Sequence, residues 1–265
     1  MKEKTAIVTG ASSGIGLATA LLFAKKGYKT YGLSRRKQGR TDFIEIQADV
    51  NDDESVKSAV ARVLEERGQI DVLVNNAGFA MVGATEESSI AQVKAIFETN
   101  FFGVVRMTNA VLPAMRKQQS GRILHIGSIV GLIPSPYMSY YSATKHAVEG
   151  YAESLDHEIR NLGIRSIVIE PGFMKTAVSS QSLNMDNPIQ EYSGERESVR
   201  KIIEHGVDAA PSPDLVAEKV LEAAELSEPK LRYTVGKDAK MISFLRRFAP
   251  RSFFDKSIRS QFKFD

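Results

Sequence analysis

Three closely spaced glycines constrain how this chain can begin to fold. The run Thr9-Gly10-Ala11-Ser12-Ser13-Gly14-Ile15-Gly16 lies between an apolar, β-rich stretch, Thr5 to Thr9, and a helical pattern from Ile15 to Ala24 that Gly27 ends. Glycine lets the main chain turn tightly and lets other groups approach it closely. Where a strand turns into a helix, the free N–H groups of the first helical turn face outward and can receive a pyrophosphate. A plain glycine-rich turn has the same composition, and the spacing departs from Gly-x-Gly-x-x-Gly. The position, with a strand before and a helix after, favours dinucleotide binding.

The rest of the chain repeats that alternation. Tyr28 to Leu33 and Phe43 to Ile46 read as strands, and Asp53 to Arg67 as a helix with Val56, Val60, Val63 and Leu64 at helical spacing, closed by Gly68. Ile70 to Val74 is a solid apolar run, typical of a strand covered on both faces. A long helical region from about Ser89 to Lys117 follows, then a strand Arg122 to Ile126, a helix bearing Tyr141, and a strand Ile164 to Ile169. Such a pattern implies an α/β fold: one domain over residues 1–265, a doubly wound parallel sheet with helices on both faces. Residues 175–213 are polar and irregular, with Ser179-Ser180, Asn184 to Pro188 and Gly194, and read as a substrate loop or lid.

Composition narrows the partners. Lys+Arg 35 against Asp+Glu 32 leaves +3, too balanced for a nucleic-acid binder. With no cysteine there are no disulfides, thiolate metal sites or cysteine nucleophiles. His125, His146, His157 and His205 form no ligand cluster in the sequence, so no metal is expected. The chain passes from Met1-Lys2-Glu3-Lys4 straight into a strand-like run, and no apolar stretch approaches the roughly 20 residues of a membrane helix. A cytoplasmic enzyme is the expectation.

The chemistry centres on Tyr141 and Lys145, four residues apart and therefore on one helical face. A phenol with a pKa of roughly 10 is a poor acid–base catalyst near neutrality. A neighbouring ammonium favours phenolate and lowers that pKa.

With these residues the chain resembles the short-chain dehydrogenase/reductase family, whose fingerprint is Thr-Gly-x-x-x-Gly-x-Gly. The likeness runs from about Thr5 to Thr176, and only loosely extends to members acting on steroids, retinol or acyl ketones. Asn75-Asn76-Ala77-Gly78 follows the fourth strand, Ser128 lies thirteen positions before Tyr141, and Asn100 twenty-eight before Ser128. Pro171-Gly172 ends the sixth strand, followed by Phe173 and Thr176.

The resemblance implies a Rossmann-like fold and interconversion of a carbonyl and an alcohol. Tyr141 is then the acid–base group, and Lys145 tunes it and bonds the nicotinamide ribose. Ser128 binds the substrate oxygen, and Asn100 breaks its helix and joins a proton relay. The competing reading is a catalytically silent, dinucleotide-sensing regulator.

The cofactor would sit on Gly10, Ser12, Ser13, Gly14, Ile15, Gly16, Asn76, Ala77 and Gly78, with Asp49 and Val50 beside the adenine. Where enzymes using NAD usually carry an acidic residue, this chain has Ser34, then Arg35 and Arg36. Guanidinium groups pair with a 2′-phosphate, so NADP(H) is favoured and NAD(H) is the runner-up. Ser13 stands where some NADP-using relatives carry a basic residue.

Substrate-side positions supply Phe79, Met81, Val82, Ile129, Val130, Met138, Phe173 and Met174, an apolar, compliant lining suited to a hydrophobic alcohol or ketone. The tail, residues 239–265, is basic and aromatic, with Met241, Phe244, Leu245 and Phe248 on one helical face. It packs on its own domain, on a second subunit, or on a membrane surface. A homodimer or homotetramer is implied by resemblance alone.

Overall fold

In a computed structural model, described for residues 3–176 and 185–262, seven strands form one parallel sheet. The strands are β1 (Thr5–Thr9), β2 (Lys29–Ser34), β3 (Ile44–Gln47), β4 (Val72–Asn75), β5 (Gly121–Ile126), β6 (Ile164–Pro171) and β7 (Arg232–Val235). Their order is 3-2-1-4-5-6-7. Every residue of β1 and β4 is buried, as the unbroken apolar runs require of strands covered on both faces.

Helices cover both faces. On one side α1 (Gly14–Lys25) and α7 (Asp214–Glu225) bury Ala20, Phe23, Val216 and Val220 against Val8, Val74 and Leu124 of the sheet. On the other, α2 (Asp53–Arg67), α4 (Gly103–Gln118) and α5 (Ser139–Ile159) bury Val60, Met107 and Leu155 against Ile7, Leu73 and Ile123. Helix α2 keeps the bounds predicted for it, and its ends show why. The Asp52 carboxylate accepts from Ser55 N at 2.6 Å, and Gly68 closes the helix at φ 69°.

Two expectations change. The single helical run from Ser89 to Lys117 is two helices, α3 (Ile90–Phe97) and α4, joined by a π turn at Glu98–Phe102. Residues 175–213 are not irregular throughout, because α6 spans Ser193–Asp208 after a 3₁₀ turn at Gln190–Tyr192. Its signal was present in Val199, Ile202, Ile203 and Val207, which fall on one face among charged neighbours. Ser179, Ser180 and Asn184 of that segment lie outside the described residues. The tail folds as α8 (Lys237–Phe248) and α9 (Arg251–Gln261), and Phe254 and Phe262 are buried against the domain. Lys263, Phe264 and Asp265 lie outside the described residues.

The parallel order places the ends of β1, β4, β5 and β6 on one rim. The opposite rim carries the returns at Gly27, Gly68, Gln119 and Gly163. Sheet order reverses between β1 and β4, which opens a crevice beyond their carboxyl ends.

Candidate active site

Helix α5 places Tyr141 and Lys145 one turn apart, above the end of β5. The Lys145 ammonium donates to the Ile126 carbonyl at 2.7 Å and lies 5.7 Å from the Tyr141 ring centre. Ser128, two residues past β5, lines the same cavity as Tyr141, and its Oγ accepts from Val130 N at 3.3 Å. Ser128 thus caps the short turn after β5 and also faces the cavity.

Electrostatics differ from the simple expectation. Burial pushes the Tyr141 phenol up to about 12, and the nearby Ser128 hydroxyl opposes this. Burial also pulls Lys145 down to about 8, against the neighbouring Glu149 carboxylate, which raises it. Desolvation thus leads both shifts, because the phenol and the ammonium each lose hydration in the same apolar surroundings. Near neutrality the chain's own groups leave Tyr141 protonated and Lys145 charged.

Asn100 sits in the π turn, buried at 1% exposure. Its amide accepts from Phe79 N at 3.0 Å and donates to Phe79 O at 2.9 Å and Thr144 Oγ1 at 3.2 Å. The local break predicted for it is present, and such turns are frequent at functional sites. It clamps the segment after β4 to the helix that carries Tyr141.

The glycine turn has the shape of a cradle. Gly10 and Gly14 adopt φ +66° and +55°. A Cβ at Gly10 would come within 2.8 Å of Asn76 Nδ2, and one at Gly14 within 3.3 Å of Thr176 Cγ2. Asn76 and Ala77 N–H groups both donate to Thr9 Oγ1, at 2.9 and 3.0 Å, while the Asn76 amide donates to Thr9 O. Thus Asn76 shapes the turn.

No side chain caps α1 at Ser13, and no acidic residue stands in its first turn, so its leading N–H groups face the crevice beside Ser12, Ile15 and Gly16. These features fit a dinucleotide pyrophosphate.

At the far end of the crevice, Ser34 Oγ donates to Arg36 O at 2.7 Å, with Arg35 and Arg36 exposed. The Asp49 carboxylate accepts from Asn51 N at 3.0 Å. Val50 turns its side chain onto Gly103 of α4.

A cavity of about 240 Å³ opens above Ser128 and Tyr141. Phe79, Val82, Ile129, Val130, Met138, Phe173 and Met174 line it, together with Ile15, Gly78, Pro171, Gly172 and Thr176. Met81 does not: it is buried with Ile96 and Met185 behind the Tyr141 ring, because its side chain points into α3. Sequence reasoning missed Arg200, Ile203, Glu204 and Val207 of α6. It also missed Ile242 of α8 and Ile258, Gln261 and Phe262 at the α9 end. Their only signal was helical periodicity in segments read as loop and tail. Among the described residues no three His, Asp or Glu side chains gather as metal ligands.

The family model for short chain dehydrogenase matches residues 4–187. The chain belongs to the short-chain dehydrogenase family. A 3-ketodihydrosphingosine reductase of Bacteroides thetaiotaomicron is 35% identical over 244 residues, covering 89% of each protein. A short-chain dehydrogenase of Streptomyces avermitilis superposes with a TM-score of 0.85 at 31% identity, over 99% of both chains. A Burkholderia phymatum member solved in complex with NAD gives 0.82 at 25% identity, over 93% of both. This family member is an oxidoreductase acting on a carbonyl or alcohol with a nicotinamide dinucleotide.

Proposed function

We propose that this family member interconverts an apolar ketone and its alcohol with NADP(H), and that Tyr141 exchanges the proton. One observation carries the reading: Tyr141, with Lys145 5.7 Å from its ring centre, lines an apolar cavity together with Ser128. The dinucleotide, when bound, supplies or accepts the hydride. Ser128 hydrogen-bonds the substrate oxygen, and Tyr141 gives that oxygen its proton as the carbonyl π pair moves onto it. Lys145 stabilises the phenolate left behind. A positioned acid of this kind contributes about 10²–10⁴ in rate.

Arg35 and Arg36, with no carboxylate at position 34, support NADP(H). NAD(H) is the competing cofactor. The cavity supports a long-chain substrate, since its walls are mainly aliphatic and aromatic, with Arg200, Glu204 and Gln261 as its polar side chains from α6 and α9. The Bacteroides relative is named for a keto lipid, which is the same class of molecule.

The test is a series of straight-chain ketones of rising length, followed by NADPH absorbance. Each buried methylene contributes about 0.8 kcal/mol, so kcat/KM rises about fourfold per carbon until the cavity is full. A flat series, or no turnover of any ketone, would overturn the reading.

A further inference from the structure

We propose that α8 and α9 form a docking face for an anionic lipid surface. Their inner side is settled: Leu245, Phe254 and Ile258 pack with Ile129, Ile133 and Ala239, next to the cavity. Their outer side is not covered by the domain. Met241, Phe244, Phe248 and Phe253 are 58%, 62%, 65% and 56% exposed, four of the nine large apolar side chains exposed among the described residues. Met241, Phe244 and Phe248 fall on one helical face, and the Phe244 and Phe248 rings lie 4.8 Å apart.

Charge decides what such a face fits. Residues 237–262 hold seven Lys and Arg against Asp238 and Asp255, a net +5 in a chain of net +3. All seven are exposed. The Arg247 guanidinium lies 5.7 Å from the Phe248 ring centre. Exposed aromatics flanked by basic side chains are the composition of an interfacial helix, whose rings enter the headgroup boundary while its cations meet lipid phosphates. A second copy of the chain fits less well, because a two-fold contact would set +5 against +5. A nucleic acid would satisfy the cations and leave the four apolar side chains in water.

Because the same helices line the cavity through Ile242, Ile258 and Gln261, docking would hold the site beside lipid-borne substrate. That consequence rests on the proposed function, whereas docking itself is read without turnover.

The experiment is co-sedimentation of the full chain with phosphatidylcholine vesicles, with and without phosphatidylglycerol. The expected result is at least about tenfold greater partitioning onto the anionic vesicles, lost in high salt. Phe244→Ser with Phe248→Ser should lower partitioning about tenfold while leaving turnover of a short, water-soluble ketone unchanged. If those substitutions unfold the chain, Lys240→Gln with Arg247→Gln gives the same reading through charge. Equal or absent binding to both vesicle types overturns the proposal. So does self-association, or binding to single-stranded DNA, that occurs without vesicle binding. Failure to turn over any ketone overturns the proposed function and leaves the docking result standing.

Discussion

Glu149 lies one helical turn beyond Lys145 on α5, and its carboxylate shares the Arg232 guanidinium with Glu170. Both carboxyls are buried, and burial raises both, Glu149 to about 7. Where Glu149 is ionised, it holds Lys145 in the charged form. We expect Glu149→Gln to lower the Lys145 pKa further and move the basic limb of the kcat/KM profile, near about pH 8, to lower pH. An unmoved limb would show that Glu149 does not act through Lys145.

The same residue sets a stability slope. Glu149 keeps its proton in the folded chain up to about pH 7, whereas the unfolded chain releases it near 4.5. The folded state therefore binds more protons in that window, and this contribution falls as pH rises through it. Thermal unfolding between about pH 4.5 and 7 should show a smaller loss of Tm in Glu149→Gln than in the parent.

Replacing Tyr141 by Phe removes the proposed proton donor and keeps the ring that packs near Met81 and Met138. Steady-state turnover should fall about 10²–10⁴-fold, while dinucleotide affinity, read by fluorescence titration, changes little. Near-parental turnover would remove Tyr141 from the proposed chemistry.

Arg35→Ala combined with Arg36→Ala tests cofactor choice. Two charge-assisted contacts to a phosphate contribute about 1.5–3 kcal/mol each, so the ratio of kcat/KM for NADPH over NADH should fall at least about tenfold. An unchanged ratio would mean that the arginines are solvent-facing charges without a cofactor role.

Asn100→Ala leaves Phe79 N–H and C=O without their side-chain partner, at about 1–3 kcal/mol for each buried group. Denaturant unfolding should show a loss of about 2–4 kcal/mol, accompanied by lower kcat, since the clamp also holds Thr144 of the helix that carries Tyr141. A stable variant with full activity would reduce Asn100 to an ordinary helix residue.

The sheet and the glycine turn were legible because local chemistry demands them. Strands buried on both faces read as unbroken apolar runs, and Gly10 and Gly14 stand where the backbone takes positive φ. What was not legible depends on tertiary context. Arg232–Val235 is a short edge strand with one partner, β6, and three of its four residues are only half-buried, so it lacks an apolar run. Helix α6 acquires its meaning from the cavity that Ile203 and Val207 line. Met81 differs from Met138 only in the direction of its side chain, which neighbours decide. The Tyr141–Lys145 spacing was readable, yet the direction of both pKa shifts is set by how deeply the two are buried.

The returns on the rim opposite the reactive edge bear on engineering. Gly27 and Gly68 close their turns with no atom within 4 Å of where a Cβ would stand. A reporter peptide or fluorescent module spliced there would be separated from the crevice by the length of the sheet, leaving the catalytic edge intact for assay.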